Sequence, residues 1–487
     1  MQNWLEAQMR ARPEAPAVYY AGVSTTYRQL HEQVERVAVT LHAQGIGVGS
    51  VVAVLMGNSL STVQVIHGLM RVGATLVMLN TRLTVDELVY QVQAARCSLV
   101  LHDEGTFVQA EALSARLGPN LKTSEISEVS DVHSTPWPAI TLDAPAVIMF
   151  TSGSSGTPKG VVLSWGNFWH SAMASAYRIG VLPNERWLCV LPLYHVGGLS
   201  IVLRSCLYGT AIDLHTRFDT DIIHRALSNE PITLISLVPT MLHRLLEGGA
   251  ASAKYPYLRL VLLGGAAAAP ELMARAAAKS IPIATTYGLT EATSQVATAL
   301  PADTQRKPDS VGKGLVFTEI RVVDEAGRDL VPGEIGEVIV RGPTVMHSYL
   351  NDPIATAHAI RDGWLYTGDL GFLDAEGDLH LVQRRNDLIV TGGENVYPAE
   401  VEAVLRKHPA VHDVVVVGVP SAEWGQQVAA LVVPVTSLLI DVAALTAFCR
   451  QSLAGYKVPR LFRLAETLPQ TASGKIDRTR VGQWLTE

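Results

Sequence analysis

Along the chain, short β-branched runs recur, each followed by a glycine or polar turn and then by a stretch of helical apolar spacing. Val51 to Leu55 precedes Ser59 to Met70, Thr75 to Leu79 precedes Val85 to Ala94, and Leu258 to Leu263 precedes Pro270 to Ala278. Strands that are apolar on both faces, alternating with amphipathic helices, predict βα units around mostly parallel sheets. The fold class is therefore α/β, with a large N-terminal body of mixed and parallel sheets flanked by helices.

From about Gly312 the texture changes to strands and turns. Glu319 to Asp324, Gly333 to Arg341 and Asp378 to Gln383 are separated by Gly, Asp and Pro, which predicts a small β-rich unit closing the first body. A polar stretch, Arg384-Arg385-Asn386-Asp387, then leads into Leu388-Ile389-Val390 and a Gly-Gly pair. The domain boundary is placed near Asn386, giving an N-terminal domain over 1–385 and a smaller α+β domain over 386–487. Within the latter, Ala399 to Arg406 and Ala443 to Leu453 read as helices, and Val414 to Val419 and Val428 to Pro434 as strands.

Composition narrows the function classes. A chain of 487 residues is too long for one ordinary core, and 48% hydrophobic with 17% charged residues describes a globular protein. The net charge of -7, without a basic run, gives no reason to expect nucleic-acid binding. The longest apolar stretches fall far short of a membrane span of ~20 residues, and Met1 to Arg12 lacks the apolar centre of a secretory signal. A cytoplasmic location is the expectation. Cys97, Cys189, Cys206 and Cys449 are widely separated and read as reduced core thiols.

The strongest local signal is Thr151-Ser152-Gly153-Ser154-Ser155-Gly156-Thr157-Pro158-Lys159-Gly160, after the apolar run Ala146 to Phe150. Its glycines let the backbone approach a ligand, its hydroxyls offer donors and Lys159 adds a positive charge, a combination suited to a polyphosphate. It is not a Walker loop: Pro158 precedes Lys159, and Gly160 leads into the apolar run Val161 to Leu163.

With Tyr287-Gly288-Leu289-Thr290-Glu291, Tyr366-Thr367-Gly368-Asp369, Arg384 with Asp387, Gly392-Gly393-Glu394-Asn395 and Ser473-Gly474-Lys475 following in order, the chain resembles the adenylate-forming superfamily. That superfamily includes acyl-CoA synthetases, peptide-synthetase adenylation domains and luciferases. The resemblance implies an ATP- and Mg²⁺-dependent enzyme that activates a carboxylic acid as its acyl-adenylate and passes the acyl group to coenzyme A. It places Thr290 at the α-phosphate, Glu291 at Mg²⁺, and Tyr287 against adenine. Gly264, Gly265 and Ala266 would form a backbone wall of the nucleotide site, and Asp369 and Arg384 would lie at the ribose. Lys475 would reach the carboxylate and α-phosphate oxygens during adenylation. The loop Gly392, Gly393, Glu394 would serve the thioester step after the C-terminal domain turns about a hinge at Asn386, where the family more often carries Asp or Lys.

A closer resemblance is to the 2-succinylbenzoate–CoA ligases of menaquinone biosynthesis. It rests on Asn3-Trp4-Leu5, Leu79-Asn80-Thr81-Arg82-Leu83, Glu185-Arg186-Trp187-Leu188, Pro192-Leu193-Tyr194-His195 and Arg217-Phe218. His195 matches the family's gate between the ATP and acyl sites. Arg204 stands in a mostly apolar helical stretch, where burial is costly without a partner. It is read as the cation for the second carboxylate of an aromatic dicarboxylic acid, with Ser200 and Thr293 as further donors to the substrate. Gly288 either leaves room for an aromatic ring or permits a tight turn. Another aryl- or fatty-acyl-CoA ligase, an adenylation enzyme loading a carrier protein, and a non-catalytic nucleotide-binding protein stay open at this stage, as does a homo-oligomer.

Overall fold

The computed structural model of the chain describes residues 2–118, 121–125, 137–139, 141–151, 158–248, 254–383, 388–435, 441–469 and 476–486. Two compact units divide the chain. The first comprises Met1–Thr81, Val92–Met149 and Gly160–Val382; the second comprises Arg82–Gln91, Phe150–Lys159 and Gln383–Glu487.

The first unit holds most of two sheets. In the larger, a parallel centre runs through the strands Pro16–Tyr20, Ala211–Leu214, Arg186–Cys189, Leu234–Leu237, Leu260–Leu263 and Ile283–Leu289. Beyond Ile283–Leu289 the pairing turns antiparallel, through Ser294–Ala299 and Ser310–Gly314 to Leu379–Gln383. The β-rich segment expected from Gly312 is thus continuous with the large sheet, forming its antiparallel wing with Glu319–Val323, Gly336–Arg341 and Trp364–Leu373. The second sheet is parallel over Val51–Leu55, Thr75–Met78, Leu99–His102 and Pro145–Thr151, with Lys159–Ser164 and the short Ser348–Tyr349 at one side. Val52 and Ala53, Leu76 and Val77, and Val147 and Ile148, neighbours that point to opposite faces, are all buried, as strands covered on both faces require.

Local chemistry sets the helices between these strands. Thr26 and Gln29 form a capping box at the start of Tyr27–Ala43, and Ser164 and Asn167 form one at the start of Trp165–Ile179. Ser59 caps Leu60–Val72, which ends at Gly73 in the left-handed conformation, φ 76°. In the second unit Gly425–Pro434 lies between Val411–Ser421 and the hairpin Ile389–Thr391/Glu394–Val396, and pairs with Leu461–Leu464. The helices Pro398–Leu405 and Val442–Ser452 pack with it around Val401, Val414, Val416, Val432 and Leu445. No described helix is long and apolar enough to cross a membrane.

Candidate active site

Three groups of expected residues are placed in the first unit. The first surrounds the hairpin of Ile283–Leu289 and Ser294–Ala299. Tyr287 is 1% exposed, and its hydroxyl donates to the Asp369 carboxylate at 2.6 Å. The hydroxyl of this buried ring thus holds Asp369. Asp369 is further fixed by its own N–H, which donates to Thr367 Oγ1 at 3.1 Å. Gly368, at φ 74°, donates its N–H to Glu337 Oε1 at 2.9 Å. Gly264 accompanies this group, since a Cβ there would stand 2.7 Å from Thr286 Cγ2, beside Tyr287. Gly265 turns at φ 84°, and Ala266 follows half-buried.

The second group is the turn after Leu289. Thr290–Ala292 form one 3₁₀ turn, and Thr293 and Ser294 follow with φ of 52° and 84°. Such backbone is uncommon for residues with a Cβ and persists where neighbours hold it. Here the Thr293 hydroxyl donates to Thr344 O at 2.7 Å, and Ser171 Oγ donates to Thr293 O at 2.7 Å. This corrects the expectation for Thr293: its one proton is spent inside the fold, so it holds the turn rather than donating to substrate. Gly288 is settled as well. A Cβ there would meet Ser294 O at 1.5 Å, so the glycine permits the close hairpin. Glu291 is buried, receives the Tyr349 hydroxyl proton at 2.9 Å, and its carbonyl accepts from Met346 N–H at 2.7 Å. Among the described residues its Oε2 accepts from no donor, so one carboxylate oxygen is held and one is available. That fits Mg²⁺, which takes one or two carboxylates and keeps its other positions for phosphate and water.

The third group lies on the helix Val196–Tyr208. His195 stands at its N-cap position, half-buried, with its ring edge-on to Tyr194 at 4.8 Å. A Cβ at Gly198 would stand 2.2 Å from Pro192 O, so this glycine lets the helix start press against the His195 segment. Arg204 is 2% exposed. Its Nε donates to Ser200 O at 3.1 Å and its Nη1 to Ser175 Oγ at 3.1 Å and Gln295 Oε1 at 2.7 Å, with the guanidinium 5.4 Å from the Trp187 ring centroid. No carboxylate among the described residues pairs with it. Burial pushes its pKa below the usual value, with the nearby Tyr208 phenol acting the other way. Ser200 Oγ is buried without a hydrogen-bond partner among the described residues.

In the second unit, Thr151 ends one strand and Lys159 begins the next. Tyr90 OH donates to Pro158 O at 3.0 Å. Residues Ser152, Gly153, Ser154, Ser155, Gly156 and Thr157 lie outside the described residues, as do Arg384, Asn386 and Lys475. Gly392 and Gly393 turn at φ 58° and 88°, and Glu394 accepts from Arg82 Nη1 at 3.0 Å.

The chain is similar to known proteins along its whole length. A family model described as AMP-binding enzyme matches residues 5–350, and one described as AMP-binding enzyme C-terminal domain matches residues 400–475. A 2-succinylbenzoate–CoA ligase of Bacillus cereus is 39% identical over 487 residues, covering 100% of this chain and 99% of that one. The o-succinylbenzoate CoA synthetase of Bacillus subtilis is similar in several solved forms. As a double mutant bound with the product analogue OSB-NCoA it gives a TM-score of 0.94 at 35% identity, covering 99% of this chain and 98% of that one. With the acyl-adenylate intermediate OSB-AMP the TM-score is 0.76 at 35% identity, with coverage of 99% and 98%. With ATP and magnesium ion it is 0.76 at 34% identity, covering 100% of both chains. With both family models matched in order and relatives alike along the full length, the chain belongs to the AMP-binding enzyme family.

Proposed function

We propose that the chain is an AMP-forming acid–thiol ligase that converts 2-succinylbenzoate to 2-succinylbenzoyl-CoA in menaquinone biosynthesis. In the first half-reaction a substrate carboxylate oxygen attacks the α-phosphorus of ATP, and pyrophosphate leaves with the electrons of the bridging bond. In the second, the thiol of coenzyme A loses its proton and attacks the acyl carbon, and AMP leaves. Full-length likeness to ligases of this acid supports the reading, and the observation that carries the acid's identity is Arg204. A buried guanidinium that meets only neutral acceptors is costly to retain. A ligand bringing a second carboxylate would repay that cost.

Chain residues divide the remaining work. Asp369, held by Tyr287 and Thr367, presents an acceptor for the vicinal ribose hydroxyls. Thr290 stands beside Glu291 for the α-phosphate, and Glu291 would hold Mg²⁺ through its available oxygen. Magnesium, when bound, offsets the charge of the phosphates as pyrophosphate departs. Thr151 to Lys159 would cradle the polyphosphate. His195 would stand at the passage between nucleotide and acid, and Lys475 would follow charge onto the α-phosphate oxygens.

The test is incubation of the purified protein with ATP, Mg²⁺, CoA and 2-succinylbenzoate, with benzoate and octanoate as controls, measuring AMP and thioester. Thioester with AMP from the dicarboxylic acid, and little from the controls, is expected. Arg204→Leu is expected to raise KM for 2-succinylbenzoate about 30-fold or more and leave KM for ATP unchanged. AMP formed only with a control acid would discard the substrate, and an unaltered KM would remove Arg204 from the acid's site.

A further inference from the structure

Among the described residues the acceptors around Arg204 are all neutral, and Gln295 stands out among them. It lies on Ser294–Ala299, 2% exposed, among the buried residues Val296, Ala297, Thr298 and Ala299. Its Oε1 accepts from Arg204 Nη1 at 2.7 Å, while its Nε2 faces Thr298 Oγ1 at 3.2 Å and Thr286 Oγ1 at 3.5 Å. Thr286 donates to Ala297 O at 2.9 Å, and the Thr286 and Thr298 hydroxyls lie 2.9 Å apart. Those contacts fix which way the amide points. With the Thr286 proton on Ala297 O, the Thr298 proton goes to Thr286, and the lone pair left on Thr298 takes an amide N–H. The amide oxygen therefore faces the guanidinium.

We propose that Gln295 is a specificity-determining positioning residue. It holds Arg204 in place with a neutral acceptor and so keeps the guanidinium charge available for a carboxylate of the substrate. This rests on the reading of Arg204 given above. A glutamate has the same reach and would make the same bond to Nη1, but its charge would cancel the one the acid needs. Ser175 Oγ and Ser200 O repeat the pattern, anchoring Nη1 and Nε without charge. Nη2 has no hydrogen-bond partner among the described residues. One turn away, the buried Ser200 Oγ is also without a partner among the described residues, which leaves two polar groups on one helix face for an acceptor or donor. The ligand class this selects is a dicarboxylic acid, one carboxylate being activated and the other bound.

The experiment compares Gln295→Glu and Gln295→Met with the parent enzyme and with Arg204→Leu. Substrates are 2-succinylbenzoate and two keto acids that keep one carboxyl each, 4-oxo-4-phenylbutanoate and 2-butanoylbenzoate. Gln295→Glu is expected to raise KM for 2-succinylbenzoate about tenfold or more, with kcat within about threefold and KM for ATP unchanged. The preference over the monocarboxylic acids should collapse with it. Gln295→Met, neutral and of similar volume, is expected to keep that preference with a smaller rise in KM. A KM within about twofold of the parent for Gln295→Glu, while Arg204→Leu raises it, overturns the role of Gln295 alone. So does complete loss of preference in Gln295→Met, because the missing element would then not be neutrality. If Arg204→Leu itself leaves KM unaltered, the reading of Arg204 falls first and takes this one with it.

Discussion

Tyr349 holds one oxygen of the Glu291 carboxylate, and that contact makes a single hydroxyl measurable. Tyr349→Phe keeps the ring and removes the donor. A hydrogen bond to a charged group contributes about 1.5–3 kcal/mol, so the carboxylate should lose its fixed orientation without loss of the fold. The expected result is an increase of about tenfold in the Mg²⁺ concentration for half-maximal adenylate formation, matched by weaker Mn²⁺·ATP binding in calorimetry. Unchanged metal affinity would mean that Glu291 is oriented by something else. Tyr287, Thr290, Glu291 and Asp369 could be singled out as candidates because each lies in a short motif whose residue types suit a nucleotide and its metal. Tyr349 and Gln295 could not. Their partners stand 58 and 91 residues away, and neither sits in a local pattern that announces a role.

The hairpin of Ile283–Leu289 and Ser294–Ala299 is the element that carries most of the candidate site. Its closeness depends on Gly288, where a Cβ would fall 1.5 Å from Ser294 O, a backbone atom that cannot swing aside. Gly288→Ala is expected to lower stability by about 1–3 kcal/mol or more and to abolish adenylate formation, since Thr290 and Glu291 move with the strand. A calorimetric melt beside a pyrophosphate-release assay checks this, and a variant with parent melting temperature would show the hairpin to be more tolerant than its geometry. Among elements, sequence periodicity located Val51–Leu55, Val85–Ala94 and Pro270–Ala278 well, because burial on one or both faces writes itself into the residue pattern. Pairing across the sheet leaves no such local mark. Nothing between Gly312 and Gln383 announced that Ser310–Gly314 would join the strands after it to the parallel centre.

For the whole molecule, the prediction concerns the two half-reactions. Lys475→Ala is expected to slow adenylate formation by about 100-fold or more, because a cation that follows developing charge is worth most in the transition state. Thioester formation from preformed adenylate should change far less. Single-turnover assays of pyrophosphate release and of CoA transfer separate the two, and equal losses would deny Lys475 its step. By itself the sequence determined the α/β class, the ordered motifs from Thr151 to Lys475 and the ligase chemistry they imply. It could do so because a contiguous run of glycines, hydroxyls and a lysine, or a strand apolar on both faces, carries its meaning locally. Only the tertiary structure decided that Thr293 spends its hydroxyl on Thr344, that Tyr287 and Tyr349 hold the two carboxylates, and that Arg204 faces a glutamine rather than an acid. Hydrogen-bond partners and the charge balance of a buried group are set by which strands and helices pack together, and no window of sequence contains them.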